Sequence, residues 1–449
     1  MRLIYLIVLV IYFPIHDLLS SWLFGNDIMS DVVVLRYVRD FSVATLALYS
    51  LARFREPVSL KNTLWIYAGF VGVYGLVGFL GDLDVSVITS STGTLLIPAL
   101  LFLVGHFCIA RSQDFWMVAR LLVAIGCCTS LFGMYDIQNT SFWLDTVHYD
   151  LFQRYVKMVE VGLSPETGLP WNFFSGFYDD SRRAAGLFGA PLAQGHFLAV
   201  TIAIAVALFS QTRNPGYLAA LFLMMFGLWQ SGTRGGMLVA FVAVVGLLLS
   251  SPVISTRKTI RFFSGVVAAA GILYFLSPTI ELAAKLTDSS SYGHWASFTR
   301  NLEELPGVIV IGEGLGTQGA FAASQLDLRD SLAGGGEGAL FTIAFQMGVP
   351  AALTFIAFLW LCHRSLRHCN SEDPATKGIA QLMQWLVLGF ATSLVLSETL
   401  LAFSGSAAFW LLLGGAVHLT SRKRTAKETV ARLSANGSIG PAPRRLGQT

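Results

Sequence analysis

Three polar residues in apolar, glycine-rich surroundings are the first candidates for chemistry. Arg183 opens Arg183-Ala-Ala-Gly-Leu-Phe-Gly-Ala-Pro191, Arg234 sits in Ser231-Gly-Thr-Arg-Gly-Gly236, and Glu337 follows Gly334-Gly-Gly and precedes a long apolar run. All three are expected at the start of a helix. The first turn there carries unsatisfied N–H groups, which favour an anion and disfavour a cation by a few tenths to ~1 kcal/mol. A cation held in such a place needs a counter-charge. A phosphate satisfies both the guanidinium, bidentately, and the helix N–H groups, and Gly235 and Gly236 let a ligand approach the backbone closely. The plain alternative for both arginines is an interfacial anchor whose charge snorkels to lipid headgroups. Glu337 has two readings that its position alone leaves open. It compensates a helix dipole, or it accepts the proton of an attacking hydroxyl.

Other polar residues are less specific. Arg36, Arg39 and Asp40 lie within one apolar segment, and Arg36 and Asp40 are spaced to pair along a helix. Ionisable groups inside a membrane span are functional candidates facing the bundle interior, and a structural ion pair is the competing reading. Gly314-Leu-Gly-Thr-Gln-Gly319 has the letters of a dinucleotide fingerprint but not the strand–turn–helix setting that gives those letters meaning. Asp82 and Asp84 form a two-carboxylate turn, and His148, His196 and His294 lack metal-ligand spacing. No metal or other cofactor is expected. His196 is expected to hydrogen-bond inside the bundle. None of the five cysteines falls in the long polar loops, so no disulfide framework is indicated.

The elements that must position these residues are membrane helices. Of 449 residues, 54% are hydrophobic and 13% charged, against a usual ~25% charged, and mean hydropathy is +0.63. This composition excludes an ordinary soluble enzyme and a disordered chain, and a net charge of +3 excludes a nucleic-acid binder. Apolar segments at about 3–22, 32–51, 62–81, 87–109, 115–134, 186–210, 215–231, 235–250, 261–278, 338–362, 379–399 and 403–420 predict an all-α polytopic bundle of about twelve transmembrane helices. The first of them reads as a retained span, because no small-residue cleavage site follows it. With the N-terminus cytoplasmic, twenty of the thirty Lys and Arg fall on the inner side and eight on the outer. Both termini are then inside. Residues 1–420 form the membrane domain, with long extracytoplasmic loops at about 135–182 and 279–336, and residues 421–449 form a basic, disordered cytoplasmic tail. Ten aromatics between Phe142 and Tyr178 exclude disorder for the first loop. They could stack on sugars or pack on one another.

The spaced motif Arg183-x-x-Gly186-x-Phe188-x-x-Pro191, followed by Ser-Gly-Thr-Arg234-Gly-Gly, resembles the O-antigen ligase and Wzy-type polysaccharide polymerase superfamily. The stretches Gly293-His-Trp295 to Gly312-Glu-Gly-Leu-Gly316, and Glu337-Gly-Ala-Leu to Gly348-Val-Pro, are similar to its outer-loop and loop-to-helix segments. The resemblance covers roughly residues 180–360; the first five spans agree only in hydropathy. It implies a bacterial inner-membrane glycosyltransferase of GT-C type with its active site on the periplasmic face. The donor would be a glycan on undecaprenyl diphosphate and the acceptor a hydroxyl of a second lipid-linked unit. Arg183, Arg234 and Glu337 would be catalytic. Arg36 and Arg39, as ionisable residues within a span, and Arg182 and His294 are the candidate substrate-binding residues. His294 stands in for Glu337 as a possible base. Implied partners are membrane lipids, a flippase and chain-length regulators. The chain departs from the ligases at Glu337, where they carry histidine; glutamate there is more similar to the exopolysaccharide polymerases. An O-antigen ligase, or a flippase or secondary transporter of a lipid-linked glycan, are the alternatives.

Overall fold

The computed structural model describes residues 2–52, 58–81, 84–157, 163, 164, 166–174, 182–250, 289–317, 338–369, 371–395 and 397–435; side chains at 58, 289–294 and 422–435 are outside the description. The described chain is helical, and no strand occurs among the described residues beyond the isolated bridges Leu163–Pro170 and Phe174–Arg182. In chain order the helices are α1 (Arg2–Gly25), α2 (Val33–Ala52), α3 (Val58–Leu80), α4 (Val85–Cys108), α5 (Ser112–Gln138), a single turn α6 (Tyr149–Leu151), α7 (Pro191–Thr212), α8 (Pro215–Ser231), α9 (Arg234–Ser250), α10 (Ser289–Glu304), α11 (Ala339–Met347), α12 (Val349–Arg367), α13 (Pro374–Ser393) and α14 (Phe403–Ala435).

Seven helices among the described residues are long and apolar enough to cross a membrane, so the protein is an all-α membrane-type bundle. The seven are α1, α3, α4, α5, α7, α12 and the first part of α14. Several starts are set locally. Asp84 accepts from Ser86 N before α4, Asn214 accepts from Gly216 N before α8, and Asp373 accepts from Ala375 N before α13. Pro191, Pro215 and Pro374 occupy first-turn positions where no N–H is needed. Asp84 therefore has a cap's role; Asp82 lies outside the described residues.

The interior is built from α7 and the Phe403–Ser421 part of α14, whose sides are almost wholly buried. Glycines make the closest approach. A Cβ on Gly105 would run into the Leu411 carbonyl, and one on Gly414 into the Phe102 carbonyl, so α4 and α14 touch backbone to backbone.

Four expected boundaries differ. The span at 338–362 is two helices broken at Gly348, whose φ of 86° favours glycine, with Pro350 directly beyond. The span at 186–210 starts only at Pro191, because Gly186 and Gly189 hold positive φ ahead of it. The gap between the last two spans runs from 394 to 402 rather than from 400 to 402. Helical backbone continues past Ser421, the expected start of the tail, to Ala435, through Ala, Lys, Glu and Arg, which are strong helix formers. The expected span 261–278 lies outside the described residues.

The first loop forms a compact aromatic cluster. Trp143, Tyr149, Phe152 and Phe173 are buried together with Leu18, Leu23 and Phe24 of α1 against them. Trp143 meets Tyr149 and Phe173 with ring centroids 5.2 and 5.6 Å apart. Among the described rings, packing on one another is the arrangement found.

Candidate functional site

The segment carrying Arg182 and Arg183 is an irregular rope pinned along its length. Arg183 N donates to Phe173 O (2.8 Å) and Ala184 N to Gln230 O (3.0 Å). Ala185 N and Gly186 N both donate to Asp136 Oδ2 at 2.8 Å, and Leu187 N donates to Thr129 Oγ1 at 3.0 Å. Five successive N–H groups are thus satisfied ahead of α7, the last two at the start of the short 3-10 turn Gly186–Phe188. Arg183 therefore stands eight residues before α7 and not at its first turn.

Arg234 does open α9. The turn before it is folded onto the start of α7. Thr233 Oγ1 donates to Pro191 O (2.9 Å), and a Cβ on Gly236 would lie 2.7 Å from the carbonyl carbon of Gly195. A Cβ on Gly235 would lie 3.3 Å from His196 Nε2. Glycines at 195, 235 and 236 let two helix starts share one corner. His196 bonds its Nδ1 to Leu192 O (2.9 Å), inside its own helix, while Nε2 is buried with no hydrogen-bond partner among the described residues.

Arg183 reaches this corner with its side chain. Its Nε donates to Ser231 O (2.8 Å) and its Nη2 to Thr233 Oγ1 (3.3 Å), both uncharged acceptors. Burial first, and the charge of Arg234 second, push the Arg183 guanidinium down to about 10. The sign is informative. A depressed base is one whose charged form is disfavoured where it stands, and it still carries that charge at neutral pH. Two cations and the N–H groups of a helix start meet at one corner, a setting in which an anion can bind.

Arg182 has a carboxylate for a neighbour. It turns onto Asp136, Nη2 to Oδ1 at 3.2 Å, with the two side chains only 10% and 0% exposed. Its guanidinium also lies 5.0 Å from the Phe173 ring centroid and donates to Thr140 Oγ1 (3.3 Å). Burial lowers the Arg182 pKa, and the Asp136 charge offsets that only in part.

The other expected residues fall elsewhere. Arg36 and Arg39 are on α2, and Asp40 is shared between them. His294 is on α10, with its side chain outside the description; Glu337 lies outside the described residues. The segment after Glu337 is described. Ala339 N donates to Ser397 O (3.1 Å), Leu340 N to Leu394 O (3.2 Å), and Thr342 Oγ1 to Glu398 Oε1 (2.6 Å). The 394–399 turn thereby satisfies the start of α11 and brings in a carboxylate, Glu398. Thr399 packs on Gly405, and a Cβ on Gly405 would lie 3.3 Å from Ala193 Cα, in the first turn of α7. The start of α11 is therefore tied to the end of the bundle that holds Arg234.

Asp136 and Glu398 are the residues that sequence reasoning misses. Both are acids in or beside an apolar segment, and that is the signal that could have found them. The Gly312–Gly316 stretch docks on the end of α11: Glu313 N donates to Phe345 O (2.7 Å) and Gly316 N to Gln346 Oε1 (3.0 Å). Among the described residues no three His, Cys, Asp or Glu side chains are grouped to hold a metal ion. No protein-family model matches the chain, and a search of curated proteins finds no match.

Proposed function

We propose that the protein is a metal-independent membrane glycosyltransferase that polymerises undecaprenyl-diphosphate-linked repeat units into exopolysaccharide or O-antigen. The observation that carries this reading is the meeting of Arg183 and Arg234 at the start of α9. A hydroxyl of the acceptor glycan attacks the anomeric carbon of the donor. The new carbon–oxygen bond forms as the bond from that carbon to the diphosphate oxygen breaks, and the lipid diphosphate leaves with its negative charge. Arg183, Arg234 and the N–H groups of α9 stabilise that charge. Glu337 takes the hydroxyl proton. The supporting pattern is the one set out from sequence: two spaced arginine motifs, a carboxylate after a glycine run, and their resemblance to the superfamily.

The finer topology belongs to the same proposal. About twelve spans place both termini in the cytoplasm and the long loops at the outer face of a bacterial inner membrane. The donor is then reached after a flippase has delivered it, and chain-length regulators act on the product.

The test is the glycan ladder of cells carrying Arg234→Ala. Removing one charge contact to a developing anion costs ~10²–10³ in turnover, so the ladder should vanish while the protein still accumulates in the membrane. A normal ladder leaves Arg234 as a headgroup anchor. Loss of lipid-linked units at the outer face points to a flippase. Single transfer of glycan to lipid A-core, with no ladder in the wild type, makes the protein a ligase.

A further inference from the structure

A second cationic cluster lies on α2. Arg39 is 8% exposed, bonds Asp40 Oδ1 through Nε at 2.7 Å, and holds its guanidinium carbon 4.0 Å from the Phe403 ring centroid. Arg36, one turn nearer the helix start, is 40% exposed. It donates to Ser90 Oγ (3.1 Å) and approaches Asp40 Oδ2 at 3.6 Å. Nearby, Lys157 pairs with Asp17 of α1 at 2.7 Å. Among the described residues three cations thus face two carboxylates, and the most exposed of the three cations is Arg36. The same helix presents Tyr37, Val38 and Phe41, all exposed, the kind of surface that meets lipid tails. Arg36 therefore stands where an apolar, tail-accepting face meets a polar cluster.

The two cationic groups share one end of the bundle. Phe403, under Arg39, begins α14; Gly405, two residues on, packs on Ala193 of α7; and α7 begins at Pro191, which Thr233 beside Arg234 holds. Each round of polymerisation consumes two lipid-linked glycans, and the corner of Arg183 and Arg234 is occupied by the diphosphate that leaves. The acceptor's diphosphate stays intact, so it needs holding and release but no stabilisation of developing charge. Arginines already half-neutralised by Asp40 suit that task.

We propose that Arg36 and Arg39 form a second diphosphate site, which holds the acceptor lipid with its tail along the exposed face of α2. This rests on the polymerase reading above. The probe is glycan-free undecaprenyl diphosphate, added to the full-length protein in zwitterionic phosphatidylcholine nanodiscs and counted by native mass spectrometry. Wild type should bind two. Arg36→Ala and Arg234→Ala should each bind one, and the double variant none. Loss of a charge-assisted contact weakens binding on the order of tenfold to a hundredfold, and Arg36→Lys should recover part of it. With lipid-linked repeat units as substrate, Arg36→Ala should raise KM with kcat little changed, whereas Arg234→Ala lowers kcat. Two molecules on Arg36→Ala, or one on wild type that only Arg234→Ala removes, overturns the second site and leaves the first reading standing. One molecule that only Arg36→Ala removes overturns the first reading and, with it, the acceptor role, leaving Arg36 in a lone diphosphate site. Displacement of the Arg36-dependent molecule by a tenfold excess of phosphatidylglycerol, about one order of magnitude in competitor, makes the cluster a phospholipid headgroup site and overturns the proposal.

Discussion

The pocket that receives Arg182 and the corner that receives Arg183 are built from adjacent residues, yet they give a guanidinium different neighbours. Arg182 lies against the Asp136 carboxylate and the Phe173 ring, which offset its burial only in part. Arg183 is held by a carbonyl and a hydroxyl and stands near a second cation, Arg234. Under the proposed function the first pair holds the chain in place and the second corner takes the ligand's anion, a difference that sequence spacing does not show.

The comparison breaks first at Asp136. Removing one partner of a buried pair costs ~3–5 kcal/mol, and here Asp136 also holds Ala185 N and Gly186 N. Asp136→Asn should therefore lower stability by about that much, seen as an earlier unfolding transition in detergent. An unchanged transition would mean that Arg182 needs no partner and that the contrast is false.

Arg183→Lys comes next. A point charge cannot make the bidentate contact of a guanidinium, so turnover should fall ~10²–10³. Lysine keeps the charge and loses the Nε bond to Ser231 O, worth ~0.5–1.5 kcal/mol, so the unfolding transition should shift less than in Asp136→Asn. A destabilised protein with normal turnover would move Arg183 into the structural class with Arg182.

Gly236→Ala sharpens the geometry. Its Cβ would stand 2.7 Å from the Gly195 backbone, which cannot yield as a side chain does. Overpacking of this kind costs ~1–3 kcal/mol, and it should also reduce turnover by shifting Arg234. Stability loss with full activity would show that the corner tolerates displacement. The smallest effect is expected at Tyr149→Phe. It removes the bond from Tyr149 Oη to Gly189 O (2.6 Å), worth ~0.5–1.5 kcal/mol, and should leave the glycan ladder intact in length. A ladder lost in this variant would make the aromatic cluster part of the site.

Arg234 shows how much of the site is legible in sequence. Ser231-Gly-Thr-Arg-Gly-Gly236 announces a turn and a helix start, and α9 begins at Arg234. Arg183 reads as a helix start too, but two glycines with positive φ postpone α7 to Pro191, and the segment between is shaped by Asp136 and Thr129 on α5. Its actual anchors lie on another helix. The apolar run at 338–362 likewise conceals the break at Gly348, since hydropathy averages over a residue whose backbone torsion ends the helix.

What the sequence by itself determines is whatever depends on sums and near neighbours. Low charge and long apolar runs require a helical membrane-type bundle, because unpaired backbone groups are too costly in an apolar solvent. Asp84, Asn214 and Asp373 mark their helix starts because a cap acts within one turn. Only the tertiary structure decides which charges meet. Arg182 finds Asp136 across 46 residues and Thr342 finds Glu398 across 56. Such pairs carry no period along the chain. They exist because glycine-faced helices pack closely enough to bring distant polar groups into a medium where each must find a partner.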